Sequence, residues 1–272
     1  MYEVFAIRYA EATLPLSVCF DGISDPMPHP ISYFIWVIRG QGRVIVVHPG
    51  SARELAAARG RARNFAPHDG LRYLGVDPAR VETVVMTHLH YDHSGNSAAY
   101  PNAQFLIQAG EMAFCTGPAM QDAAQAHHYA PENIAEFVGL LHAGRMHLMQ
   151  DGEEIAPGIT GHIITGHTDG QQVLRVQSDA GPVVLASDAL HYYASIREGR
   201  AFTVNTGPAL KLAGYARLRG LAGGSDRIIS GHDPEVMRLW PQTAGHPDIR
   251  LVSVDPVAPL DSAAPFLSQQ GG

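Results

Sequence analysis

The sequence predicts a mixed α/β fold in one domain, with helices covering the outer faces of β-sheets. Short runs rich in β-branched and aromatic residues alternate with Ala- and Leu-rich stretches of helical spacing. No linker divides the middle of the 272-residue chain, so one compact unit is expected rather than two. Hydrophobic residues make up 46% and charged residues 17%, which excludes a disordered or fibrous chain.

The elements follow in order. Residues 2–9 and 33–38 read as strands. Residues 43–47 continue the pattern after the Gly40-Gln41-Gly42 turn, giving a hairpin. Residues 52–61 suit a short helix, and 81–86 form a β-branched run entering Thr87-His88. Residues 103–107 are a further strand. From about 109 to 145 Ala, Glu and Met dominate, and Pro131-Glu132-Asn133 resembles the first turn of a helix running to about His142; this stretch is expected to be a helical insertion. Strands return at 146–149, 159–165, 172–177 and 182–186. Residues 209–221 form a helix between Pro208 and Gly223-Gly224, 227–229 a strand, and Asp233-Pro234 opens a short helix ending near Trp240. The domain is placed at 1–245. Residues 246–272, with four prolines and little periodicity, are expected to be a partly disordered tail, 268–272 most of all.

Composition narrows the function. Nineteen Lys plus Arg against 26 Asp plus Glu give a net charge of −7, which argues against a nucleic-acid partner. The single lysine, Lys211, is not preceded by glycine, so no GxxxxGK phosphate loop exists. The longest strongly apolar stretch, 31–38, is far short of the ~20 residues of a membrane helix. The start of the chain lacks a basic region followed by an apolar one, and two cysteines cannot form a disulfide framework. The expectation is therefore a cytoplasmic protein with a small-molecule substrate and no membrane or nucleic-acid partner, a homodimer being one open arrangement.

The informative feature is the placement of the 15 histidines. In Thr87-His88-Leu89-His90-Tyr91-Asp92-His93-Ser94-Gly95, three imidazoles and a carboxylate follow directly on a strand. Such ligands suit zinc and other first-row divalent ions. One tetrahedral ion cannot take all four from a tight loop. His88 and His90 can face one ion while Asp92 and His93 turn toward a second. An exposed His-rich loop is the bland alternative, and the pattern is rare by accident.

HxHxDH followed by Gly resembles the signature of the metallo-β-lactamase superfamily. Gly166-His167-Thr168, Ser187-Asp188 at a strand end and Ser230-Gly231-His232-Asp233 resemble its later motifs in order, over about residues 30–240. The first strand, the helical insert and the Gly-His-Asp-Pro-Glu-Val ending look most like the N-acyl homoserine lactonase branch. The resemblance implies an αββα sandwich with a helical insertion and a dinuclear site at one edge. It assigns His88, His90 and His167 to one metal, Asp92, His93 and His232 to the other, and Asp188 to both. Two divalent ions are implied, zinc first, with iron, manganese or cobalt as alternatives. Taken alone, His167 and His232 would each read as a packed or surface histidine, and Asp188 as a turn residue.

The implied function is a metal-dependent hydrolase that opens a lactone by attack of a metal-bridging hydroxide, with Asp92 and Asp188 orienting the hydroxide. Thioesters, cyclic amides and other esters suit the same chemistry. A phosphodiesterase is disfavoured by the charge, a di-iron redox protein by His90 where that pattern has Glu, and a non-catalytic member by the complete ligand set. His191 or Tyr192, three and four residues after Asp188, are candidate oxyanion donors, with packing as the alternative role. Phe114, Met120, His127, His128 and Tyr129 are candidates to line an acyl pocket, against ordinary helix packing. One departure stands out: Val47-His48-Pro49-Gly50 occurs where the family has Val-Asp-Thr-Gly. His48 is expected to support the ligands without being one of them.

Overall fold

The computed structural model describes residues 1–259. Strand β1 (Glu3–Pro15) leads into a one-turn helix α1 (Leu16–Cys19) and β2 (Pro28–Gly40), which forms a hairpin with β3 (Arg43–Val47). After α2 (Arg53–Ala58) and the short β4 (Ala62–Arg63) come β5 (Thr83–Val85) and β6 (Gln104–Gln108). Helices α3 (Ala109–Cys115), α4 (Ala123–Ala126) and α5 (Pro131–His142) precede β7 (Met146–Met149). The second half runs β8 (Glu154–Ala156), β9 (Ile159–Ile163), β10 (Gln172–Ser178), β11 (Gly181–Ser187), α6 (Tyr193–Glu198), α7 (Pro208–Ala222), β12 (Ile228–Ser230), α8 (Glu235–Leu239) and β13 (Ile249–Leu251).

Among the described residues the strands form two sheets, β13-β1-β2-β3-β5-β6-β7 with β4 on β1, and β12-β11-β10-β9-β8. Period-two alternation decides which core each side chain enters. In β2, Phe34, Trp36 and Ile38 point between the sheets, in one cluster with the cross-strand pair Leu174 and Leu185. Ile35 and Val37 point to the outer face with Phe105 and Phe137 of α5. Tyr215 and Leu218 of α7 and Leu239 of α8 cover the second sheet. Both faces of the sheets are covered, which is why the strands read as near-continuous apolar runs. The arrangement is the expected αββα sandwich.

Residues 249–251, placed by the sequence in the tail, add an edge strand to β1, with Phe5 opposite Leu251 and Val252 fully buried behind it. The last residues, 268–272, lie outside the described residues. The first strand runs six residues past Tyr9, because its far half pairs with 28–33.

Candidate metal centre

Five strands deliver the site from one edge of the sandwich. The chain leaves the carboxyl ends of β3, β5, β9, β11 and β12 and places there His48, residues 88–93, His167, residues 188–191 and His232. β3 and β5 run parallel, as do β11 and β12, so their ends open on the same side, the usual position for a site on parallel strands. Two glycines permit the close approach. A Cβ on Gly231 would run into the Ser187 backbone, and one on Gly95 into Ala52. Glycine at 231 lets His232 reach Asp188.

All seven residues implied as ligands are buried and converge. Ligand atoms of His88, His90 and His167 form one group, and those of Asp92, His93 and His232 another; Asp188 groups with His88 and His93. His167 Nε2 lies 2.9 Å from His90 Nδ1, close to the ~3.3 Å separating two nitrogens bound at ~2.0 Å around a tetrahedral ion. Asp188 sits between the groups: Oδ1 is 3.1 Å from His93 Nε2 and 3.2 Å from His232 Nε2, while Oδ2 is 3.3 Å from His167 Nε2.

The residues fit two cations. His88 Nε2 and His93 Nε2 face Asp188 and, among the described residues, make no hydrogen bond. A buried polar atom with no partner is costly unless something else satisfies it. Burial, with neighbouring imidazoles and, for His167, Lys211, holds His88, His90 and His167 well below the ordinary histidine range, so their rings are neutral. Burial alone would do the same to His93, but Asp92 and Asp188 outweigh it and push His93 up to about 10. Reciprocally, His93 and His232 hold Asp92 and Asp188 below the carboxylate range against the effect of burial. A dication would replace that proton as the partner of the two carboxylates.

His48 does not enter the groups. Its Nδ1 lies 2.8 Å from His93 Nδ1 and its Nε2 2.6 Å from Thr87 Oγ1. Thr87 Oγ1 also contacts His88 Nδ1 at 3.2 Å and Ser187 Oγ at 2.9 Å, and Ser187 donates to Asp188 Oδ1 at 3.2 Å. A histidine that ligates through Nε2 carries its proton on Nδ1. The protons then have one consistent order: His93 to His48, His48 and His88 to Thr87, Thr87 to Ser187, Ser187 to Asp188. His48 thus holds His93 by its Nδ1.

The structure separates His191 from Tyr192. His191 Nε2 lies 3.1 Å from Asp188 Oδ2, its ring stacks on Phe202 with centroids 3.7 Å apart, and Lys211 Nζ approaches Nδ1 at 3.3 Å. Lys211 also donates to the Asp188 carbonyl. Tyr192 points the other way. Its hydroxyl donates to the Pro30 carbonyl at 3.2 Å and contacts Cys19 Sγ at 3.5 Å, beside Phe20 and His29. As an oxyanion donor Tyr192 is therefore ruled out by its orientation. The residue is extended (φ −134°, ψ 143°), so neighbours 191 and 192 project to opposite sides.

Glu111, which the sequence did not single out, ties three segments together. It accepts from Leu89 N at 3.0 Å, Tyr129 Oη at 3.0 Å and Thr168 Oγ1 at 2.5 Å, fully buried. It thereby fixes the first histidine loop, the insert and the residue after His167. Tyr9 does similar work, donating to the Asp92 carbonyl at 2.9 Å. A cleft of about 130 Å³ opens over the site, its lining including the apolar Leu14, Val18, Ile31 and Phe202 and the basic Arg59, Arg61, His127 and His128. Of the insert residues expected at a pocket, His127 and His128 line it. Phe114 and Met120 pack into the core, and Tyr129 is held by Glu111. A larger cleft of about 390 Å³ lies at the opposite ends of β3 and β5, lined by Arg43, Asp77, Arg80 and Glu82 but by no histidine or cysteine. Among the described residues no helix is long and apolar enough to cross a membrane, and Cys19 and Cys115 are buried and free.

Known proteins resemble this chain. The family model described as the metallo-beta-lactamase superfamily matches residues 30–232. An N-acyl homoserine lactonase of Bacillus sp is 26% identical over 170 residues, 62% of each chain. The N-acyl homoserine lactonase AttM of Azorhizobium caulinodans is 28% identical over 188 residues, 65% of this chain and 68% of its own. A solved quorum-quenching N-acyl homoserine lactone lactonase superposes with a TM-score of 0.73 at 19% identity, covering 86% of this chain and 92% of the other, which shows the shared fold. The ligand-type residues here stand in the order and at the strand ends that the family motifs require, and the chain belongs to the metallo-β-lactamase superfamily.

Proposed function

We propose that this protein is a metal-dependent hydrolase that opens a lactone, of the kind its relatives are named for. The observation that carries the reading is the convergence of five imidazoles and two carboxylates at the floor of a cleft with a partly apolar lining. His88, His90 and His167 would hold one divalent ion, Asp92, His93 and His232 a second, and Asp188 would touch both; zinc suits the set. Such a pair supplies, when bound, an acidified water as nucleophile and an electrophile for the carbonyl oxygen.

The chain's own residues do the rest. Lys211 donates to His191 Nδ1, which leaves the proton of His191 on Nε2, 3.1 Å from Asp188 Oδ2. With Asp188 engaged by the ions, that N–H would be free to donate to an oxygen that gains charge as the ring opens. Asp92 and Asp188 are the carboxylates at which the proton of the attacking water is held. Phe202 fixes the His191 plane by stacking. The cleft is smaller than the ~300–1,000 Å³ of pockets that bury drug-sized ligands, which favours a compact ring with a short substituent.

The test is a panel of lactones, thioesters, cyclic amides and phosphodiesters, assayed on a sample whose metal content is measured. Lactones should give the highest kcat/KM. A thioester or cyclic amide in first place would move the reading to that bond, and a phosphodiester in first place would refute carbonyl hydrolysis.

A further inference from the structure

The cleft carries two guanidinium groups that the hydrolytic chemistry does not use. Arg61 is half-buried in its wall. Its Nε donates to the Tyr91 hydroxyl at 3.3 Å, and its guanidinium carbon lies 5.9 Å from the centre of the Tyr33 ring. Tyr33 in turn packs on His232 with centroids 5.2 Å apart, and Tyr91 lies between His90 and Asp92. Arg61 therefore stands one side chain away from the metal-ligand residues. Among the described residues its two terminal nitrogens have no hydrogen-bond partner. Arg59 stacks over the other side of this cluster, 4.1 Å from the centre of the Tyr91 ring, and donates to the His127 carbonyl at 2.6 Å.

The charge balance of the cleft bears on this. Arg8, Arg39, Arg72, Arg217, Arg227 and Arg238 each reach a carboxylate. Arg59 and Arg61, like several arginines elsewhere, reach none among the described residues, but these two share one cleft. The carboxylates of the cleft lining are Asp92 and Asp188, and both are engaged with the histidine cluster. Two guanidinium groups held in one concave surface repel each other and favour an anion between or before them. In a chain of net charge −7 this is a local reversal of sign. A guanidinium in a cleft lining, held by its Nε and near a ring face, keeps its terminal N–H groups for a planar oxyanion.

We propose that Arg61, backed by Arg59, is an anion-recognition subsite, and that the substrate carries a carboxylate or phosphate group in addition to the bond that is cleaved. This rests on the hydrolase reading and moves its substrate from the neutral N-acyl homoserine lactones that the relatives are named for to a lactone bearing an anionic group. The compact body of the substrate lies against Leu14, Val18, Ile31 and Phe202, and its anionic end faces Arg61.

The test uses the zinc-loaded protein and two probe pairs. The lactone 5-oxotetrahydrofuran-2-carboxylate is compared with its neutral methyl amide in turnover, and glutarate and methylphosphonate are compared in isothermal titration. The subsite predicts kcat/KM at least about tenfold higher for the acid than for the amide, the size expected of one charge-assisted hydrogen bond. Arg61→Met, which keeps the stem over Tyr33, should abolish that preference and weaken glutarate about tenfold, with zinc content unchanged. Arg61→Lys, which keeps the charge without the fork, should retain part of both. Tighter binding of methylphosphonate than of glutarate would assign the subsite to phosphate. Any direct binding of these anions to zinc is common to all variants and cancels in the ratios. Equal turnover of acid and amide, or an Arg61→Met protein with unchanged glutarate affinity, overturns the proposal. If neither lactone is opened while glutarate affinity still depends on Arg61, the lactone reading falls and the anion subsite stands.

Discussion

His48 Nδ1 lies 2.8 Å from His93 Nδ1, so one buried imidazole sits directly behind another. The neutral ring accepts the His93 proton and passes its own to Thr87, at 2.6 Å. It adds no negative charge behind the ligand. His48 also sits at φ +64°, a conformation that Asp and Asn tolerate better than most residues.

His48→Asp should therefore raise metal affinity and lower the thermal stability of the metal-free protein. The new carboxylate would be buried near Asp92 and Asp188 with no ion to offset it. His48→Ala should lower metal affinity ~10–100-fold, the usual effect of losing a group that orients a ligand. Chelator competition measures both. Loss of one equivalent of metal from His48→Asp would show that His48 is itself a ligand.

Glu111→Ala should destabilise the protein by about 1–3 kcal/mol, because Leu89 N and the Tyr129 and Thr168 hydroxyls would lose their buried acceptor. For a chain of this size that is a fall of ~2–4 °C in Tm per kcal/mol. Metal affinity should fall with it, since Leu89 lies between His88 and His90. Melting curves with and without zinc check both effects. A variant with unchanged Tm and unchanged affinity would reduce Glu111 to a passive core residue.

His191 and Tyr192 should behave differently. Losing the His191 N–H should lower turnover ~10²–10³-fold at constant metal content, as for other oxyanion donors. Tyr192→Phe should leave turnover near that of the parent and cost about 1 kcal/mol, the hydroxyl's bond to the Pro30 carbonyl. Steady-state kinetics and melting on the same preparations separate the two. A large kinetic loss in Tyr192→Phe would contradict the orientation described here.

These contrasts mark what the sequence could and could not tell. His88, His90, Asp92 and His93 were legible because a single loop carries them all, and that made His167, Asp188 and His232 legible in turn. The choice between His191 and Tyr192 was not, because adjacent residues in extended backbone face opposite ways and only the start of α6 fixes which one faces the site. Glu111 gave no signal. It sits in the first turn of a short helix, where an acidic residue is ordinary, and its partners are 18 to 57 residues away. The strand at 249–251 was hidden by flanking prolines and its three-residue length. Arg61 acquires meaning only from the cleft, which is assembled from distant segments.

Removal of metal should destabilise the fold. Free metal at a thousand times its dissociation constant adds about 4 kcal/mol to a protein that binds it only when folded. Scanning calorimetry should thus show a Tm that rises with added zinc and falls after dialysis against chelator. A Tm indifferent to zinc would mean that the buried histidine cluster holds no ion in solution.

In the proposed site seven side chains hold two ions, with Asp188 common to both. Anomalous diffraction at the zinc edge from crystals of the zinc-loaded protein tests this. Two peaks ~3.5–4 Å apart are expected, one within ~2.0–2.2 Å of ligand atoms of His88, His90 and His167, the other of Asp92, His93 and His232, with Asp188 reaching both. A single peak, or two peaks of which neither touches Asp188, would contradict it.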